Sequence, residues 1–146
     1  MHCDNIKESS MPKKRVLILC TGNSCRSIMA EALVNVKLGA CVEAESSGVS
    51  ATGKVNPQAE ALLRARGLWR DTYRSKVIDE VIDKPFDLVV TVCDNAKESC
   101  PMFPRAVKTL HVGFEDPSGK AEEAYAETLG RIEAELLPVI EKELCK

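Results

Sequence analysis

The chain has 146 residues, 45% hydrophobic and 29% charged, as expected of one soluble globular domain with a real core and too few residues for two. Its net charge of -2 supplies no overall field to recruit nucleic acid or an anionic membrane surface. Neither is expected as a partner, and any anion must be held by a local site. The longest apolar runs, "VLILC" and "LVVTVC", are far too short to span a bilayer.

The start, "MHCDNIKESSMPKKR", has no apolar h-region and does not read as a signal peptide. A cytoplasmic location is therefore expected, where thiols stay reduced and structural disulfides are rare. The chain carries seven cysteines, an odd number that argues against a fully paired framework and for thiols that do chemistry. Residues 1–14 are polar and read as a flexible tail, with His2 and Cys3 incidental, and residues 15–146 form the domain.

"RVLILC", residues 15–20, is the continuous apolar run of a strand buried on both faces. From Ile28, apolar Met29, Ala32, Leu33 and Val36 recur at helical spacing, and Gly39 ends that helix. Residues 41–46 alternate weakly as a second strand. Asn56 followed by Pro57 is a helix cap and first turn, with Gly67 as the stop. "KVIDEVID" reads as a short helix halted before Pro85. "DLVVTVC" (87–93) and "VKTLHVGF" (107–114) are further strands. Tyr125, Leu129, Ile132, Leu136 and Ile140 mark the stripe of a long terminal helix kinked by Pro138. The alternation predicts an α/β fold: a single domain with a central, mostly parallel four-stranded sheet flanked by helices.

In such sheets ligands bind at the carboxyl ends of strands, where Cys20 and Cys93 fall. The loop "CTGNSCRS" after the first strand is Cys-x5-Arg leading into a helix. Its backbone amides and the helix N-terminus can converge on an anion. Arg26 can fork two hydrogen bonds to a tetrahedral oxyanion. Both favour the thiolate of Cys20, the nucleophilic form. Thr21, Gly22, Asn23, Ser24, Cys25, Arg26 and Ser27 line the expected anion cradle. Within it Gly22 permits unusual backbone turns, Asn23 braces the loop, and Ser27 caps the helix or donates to Cys20. A helix-entry turn that happens to contain cysteine is the plainer reading. No Gly-Lys-Ser follows the loop, no Cys-x2-Cys pair exists and His111 stands alone on a strand, so neither a Walker loop nor a zinc site fits.

"CTGNSCRSIMAEAL" resembles the active-site loop of the low-molecular-weight protein tyrosine phosphatase fold. It is closer still to the thioredoxin-coupled arsenate reductases built on that fold. A second matching stretch is "GFEDPSGK". The resemblance implies that Asp116 is a general acid, although Asp116-Pro117 alone would read as an ordinary turn. Cys93 and Cys100, spaced Cys-x6-Cys, have no task in a phosphatase and match the reductases. Without the resemblance they read as a strand-end core thiol and a surface thiol. Ile28 and Ser118 stand where the phosphatases usually carry proline and an aromatic.

What the resemblance implies is a relay. Cys20 attacks arsenate, Cys93 attacks Cys20 to release arsenite, and Cys100 takes over the disulfide for thioredoxin. Two thiols becoming one disulfide supply the two electrons. A phosphatase hydrolysing phosphate monoesters is the alternative. Cys25 reads as filler, and Cys41 and Cys145 as structural or incidental. Some members bind potassium near the loop. Asn23, Glu31 and Ser46 match part of that site, but Arg74 and Lys76 stand at the other positions, so no metal is expected. No cofactor is expected either. Partners are arsenate, with phosphate or sulfate as competing oxyanions, and thioredoxin, acting on a monomer.

Overall fold

The computed structural model describes residues 13–93, 96, 98, 103–104 and 106–145. His2, Cys3 and Cys100 lie outside the described residues. In chain order the elements are β1 (Lys14–Cys20), α1 (Arg26–Lys37), β2 (Val42–Gly48), α2 (Pro57–Ala65), a 3-10 turn (Ile78–Glu80), β3 (Leu88–Thr91), β4 (Lys108–His111), α3 (Glu122–Glu135) and α4 (Leu137–Leu144). Strand β1 already includes Lys14, assigned to the tail by its sequence.

The strands form one four-stranded sheet in the order β2-β1-β3-β4. Every ladder in it is parallel. β1 occupies the interior: Val16, Leu17, Ile18 and Leu19 are fully buried, because helices cover both faces of a parallel sheet and leave no wet side to select polar residues. β3 is buried throughout, whereas edge strand β4 is half-exposed. From β1 the chain runs outward to β2, then returns across the sheet to β3 on the other flank. The carboxyl ends of β1 and β3 therefore diverge into loops on opposite sides, leaving the crevice in which α/β sheets bind ligands. Cys20 is the last residue of β1, and Cys93 follows β3 by two residues.

The α1 helix is buried along nine consecutive residues, from Ser27 to Asn35. Its stripe differs from the expected one at the end: Val36 is exposed. Asn35 faces inward in its place, accepting from Ala44 N–H at 2.9 Å and donating to Ala44 O and to Tyr73 Oη at 3.2 Å each. Those bonds satisfy a buried amide that an apolar periodicity cannot reveal.

Asn56 caps α2 as expected, its Oδ1 accepting from the N–H groups of Gln58 and Ala59 at 2.8 and 3.2 Å. Gly67 ends the segment in the left-handed region at φ 72°. "KVIDEVID" yields only the three-residue 3-10 turn. The terminal stripe is split into two helices at Leu136, whose backbone stays near-helical. Pro138 falls in the first turn of α4, where its missing N–H costs little. Tyr125, Leu129, Ile132, Leu136 and Ile140 are all buried, as their spacing indicates.

Cys41 and Cys145 form a disulfide, with Cα atoms 5.8 Å apart. The sequence reads these two cysteines as structural or incidental, in a compartment where disulfides are rare; in the fold they form a cross-link. A separation of 104 residues gives no pairing signal in the sequence, because the pairing follows from where α4 ends in space.

Candidate functional site

The segment 20–26 is shaped by what takes its carbonyls. Val49 N–H donates to Cys20 O at 3.0 Å, Ser50 N–H to Thr21 O at 2.9 Å, Thr52 N–H to Gly22 O at 3.0 Å and Asn56 N–H to Ser24 O at 2.8 Å. Ser75 Oγ adds a bond to Gly22 O at 3.1 Å. With the carbonyls drawn outward to residues 49–56, the opposite edges of the same peptide planes turn inward. That is how a loop builds an anion-binding concavity from backbone alone. The α1 helix begins at Arg26 with no acidic residue in its first turn, so the positive end of its dipole is left to the loop.

The residue in a left-handed conformation is Asn23, at φ 49°, and not Gly22. Asparagine is among the few side chains that tolerate that region. Gly22 matters through close approach instead: a Cβ there would stand 3.2 Å from Thr52 Cγ2. Asn23 is fully buried. Its Nδ2 donates to Ser27 Oγ at 2.8 Å and Ser46 Oγ at 3.0 Å, while its Oδ1 accepts from Lys76 N–H at 2.8 Å. Ser27 makes no capping bond to the helix, whose cap position is Cys25; its hydroxyl serves Asn23.

Behind this knot, Ser46 Oγ donates to Glu31 Oε1 at 2.5 Å. Burial pushes the Glu31 carboxyl up to about 7, against the Ser46 hydroxyl and the nearby Lys76 charge. Asn23, Glu31 and Ser46 are thus bonded to one another, the Asn23 carbonyl is engaged by backbone, and a buried lysine supplies positive charge. Arg74 is turned away onto Glu80, at 2.6 Å and largely exposed. These residues do not fit a bound potassium ion.

Facing the loop, Arg26 is held from the β4–α3 connection. One Nη donates to Phe114 O at 3.1 Å and the other lies 3.6 Å from Asp116 Oδ2. Asp116 Oδ1 accepts from Ser118 N–H at 3.0 Å. Burial pushes the Asp116 carboxyl up, but the backbone and side-chain bonds from Ser118 and the charges of Arg26 and Lys120 outweigh it. They hold Asp116 below the usual carboxylate range. Thr21, Arg26, Cys93, Gly113, Phe114, Glu115 and Asp116 line one open cleft.

Both free thiols at the strand ends face each other. Cys20 and Cys93 are both buried, and their sulfurs interact. That interaction drives their pKa values apart. Cys20, donating to Cys93 and buried, is held far above the ordinary thiol range despite Arg26 and the Thr21 N–H. Cys93, accepting from Cys20 and from Thr21, is brought down to about 5. Thr21 Oγ1 lies 3.1 Å from Cys93 Sγ. The two thiols therefore titrate as a coupled pair, with Arg26 favouring the charged form of both. Cys25 is also buried, and desolvation with the nearby Asp116 charge pushes it up to about 12. It is an inert thiol in this state.

Of the expected residues, the structure gathers Cys20 to Ser27, Cys93 and Asp116 into one region, and Cys100 lies outside the described residues. Sequence reasoning missed Phe114, whose carbonyl orients Arg26, and Ser75, which pins the loop. Neither residue type signals such a role, since one acts through backbone and the other across 53 residues. His111, alone in sequence, has its Nδ1 2.8 Å from Thr91 Oγ1.

Comparison with known proteins gives a consistent result. Arsenate reductase 2 of Staphylococcus epidermidis is 44% identical over 110 residues, covering 75% of this chain and 83% of that protein. The crystal structure of an arsenate reductase from Archaeoglobus fulgidus superposes with a TM-score of 0.73 at 36% identity, covering 86% of this chain and 98% of that one. A low molecular weight protein tyrosine phosphatase from T. tengcongensis gives a TM-score of 0.77 at 32% identity, covering 89% and 99%. With residues 15–146 matching its family pattern from end to end of the domain, the chain belongs to the low molecular weight phosphotyrosine protein phosphatase family.

Proposed function

We propose that this protein reduces arsenate to arsenite through a relay of Cys20, Cys93 and Cys100 that thioredoxin resets. The observation that carries the reading is a second free thiol at the mouth of the anion loop: Cys93 Sγ lies 3.1 Å from Oγ1 of Thr21, the residue after Cys20. A hydrolase needs one thiol there, whereas a reductase needs a second within bonding reach of the first. The likeness to arsenate reductases supports the same reading.

Arsenate enters the cradle of loop amides and the Arg26 fork, in place of which phosphate or sulfate competes. The Cys20 proton crosses to Cys93, and Cys20 Sγ attacks arsenic. An arsenic oxygen leaves as water after taking a proton from Asp116. Arg26 and the Ser118 bonds hold Asp116 low; an incoming oxyanion engages that guanidinium and adds its own negative charge, which raises the carboxyl toward the protonated form a general acid requires.

Cys93 then gives up its proton to water in the open cleft it lines, the Thr21 bond still favouring its thiolate, and that thiolate attacks Cys20 Sγ. The S–As bond breaks with its electron pair going to arsenic, so As(V) becomes As(III) and a Cys20–Cys93 disulfide remains. Cys100 attacks Cys93, freeing the Cys20 thiolate, and the Cys93–Cys100 disulfide passes to thioredoxin, which is oxidised in turn. We place this activity in a cytoplasmic monomer, in keeping with the absence of any membrane-length apolar helix among the described residues.

A phosphatase is the second reading, favoured by the likeness to the T. tengcongensis enzyme and by the sufficiency of Cys20, Arg26 and Asp116 for ester hydrolysis. Following NADPH oxidation with thioredoxin and its reductase, with and without arsenate, beside aryl phosphate hydrolysis, separates the two. Arsenate-dependent oxidation is the expected result. Aryl phosphate turnover without it overturns the reductase.

A further inference from the structure

The Cys41–Cys145 pair sits far from the relay. In the β1–β2 ladder, Lys14 pairs with Val42 at the amino ends and Cys20 with Gly48 at the carboxyl ends. Cys41 directly precedes that first pair, and its carbonyl accepts from Lys14 N–H at 3.0 Å. At ~3.3 Å per residue the two ends are roughly 20 Å apart, well outside thiol-exchange reach. Cys145 is the cap residue of α4, so its sulfur ties the end of the last helix to the floor of the sheet.

Few apolar side chains of α4 hold that end among the described residues. Only Leu137 and Ile140 of α4 are buried, both in its first half. Leu144 and Cys145 are partly buried. A helix of eight residues does not persist alone. The Lys108–Glu143 pair at 3.0 Å, with the lysine more than half exposed, contributes little. Both cysteines remain partly accessible, so a small reagent reaches them without unfolding the domain.

We propose that Cys41 and Cys145 are a second redox-active thiol pair, a clasp that locks the end of α4 independently of the arsenate relay and is closed by small-molecule disulfides. In the closing reaction a Cys145 thiolate attacks a disulfide such as oxidised glutathione, displacing one thiolate and forming a mixed disulfide. Cys41 then attacks the Cys145 sulfur and releases the second small thiol. The protein loses two electrons and two protons, and the reagent's disulfide becomes two thiols. The inference does not rest on the proposed activity.

The experiment equilibrates the full chain with oxidised glutathione or with dithiothreitol, traps free thiols by alkylation, maps the peptides and measures thermal unfolding. Cys20→Ser/Cys93→Ser/Cys100→Ser is run in parallel so that relay disulfides do not contribute, and Cys145→Ser serves as the unclasped control. The expected result is a mapped Cys41–Cys145 link in both the parent and the triple variant. The closed form melts roughly 10 °C above the open one, as for a cross-link closing so long a loop. In Cys145→Ser that difference is lost and aryl phosphate hydrolysis stays within about twofold of the parent. Both cysteines alkylated under oxidising conditions, a melting gain below about 3 °C, or a larger activity loss in Cys145→Ser each overturn the proposal.

Discussion

At the scale of single residues, the informative feature is two coupled thiols. Cys93 is brought down to about 5 chiefly because Cys20 donates to it, with Thr21 adding a second bond. Removing the donor removes that stabilisation. In Cys20→Ala, the alkylation midpoint of Cys93 is expected to rise from near 5 toward the ordinary thiol range, read by mass spectrometry of iodoacetamide-treated protein across pH. An unchanged midpoint would show that Cys93 draws its acidity from elsewhere. Asp116 makes the complementary case. Its carboxylate is 48% exposed and lies beside Arg26, so Asp116→Asn is expected to slow turnover about 100-fold or more while leaving phosphate inhibition near the parent value. Lost inhibition would make Asp116 a brace for Arg26 and not an acid.

Among the elements, the loop is positioned by neighbours that the sequence did not single out. β1, α1 and the Asn56–Pro57 start of α2 were legible because burial on both faces, helical spacing and cap chemistry leave local marks. The outward pull on the loop carbonyls was not legible, since segment 49–56 and Ser75 act mainly through backbone or across long separations. Asn56 joins both classes. It caps α2, donates to Tyr125 Oη at 3.1 Å and holds Ser24 O through its own N–H. Asn56→Ala is expected to cost about 1 kcal/mol in urea unfolding, with Ser24 still held because the backbone bond survives.

Glu31 on α1 tests the buried knot through pH. Its folded-state pKa of about 7 stands above the ordinary 4.5. The stability it contributes is therefore complete below pH 4.5 and lost as pH rises through 7. Glu31→Gln is expected to gain on the parent over that range, on the order of 3 kcal/mol in unfolding free energy by pH 8. Parallel pH profiles of the two proteins would contradict the assignment.

Across the whole molecule, function follows from strand order. Because the chain leaves β1 on one flank and returns to β3 on the other, two loops distant in sequence open side by side, and each brings one thiol to the same crevice. The fold class and the positions of the loop and of Cys20 and Cys93 at strand ends were readable from 146 residues. The coupling of the two thiols was not, because it depends on Thr21, Arg26 and burial acting together in space. The disulfide at the far end was equally hidden, being fixed by where α4 terminates.

The central claim is that Cys93 is the electron-donating partner of Cys20, and it is tested most directly by assaying Cys93→Ser in two reactions. In the thioredoxin-coupled assay the account predicts that arsenate-dependent NADPH oxidation falls to background. In the aryl phosphate assay hydrolysis persists, because Cys20, Arg26 and Asp116 are intact. Continued arsenate-dependent oxidation by Cys93→Ser would contradict the account, since no other described thiol faces Cys20.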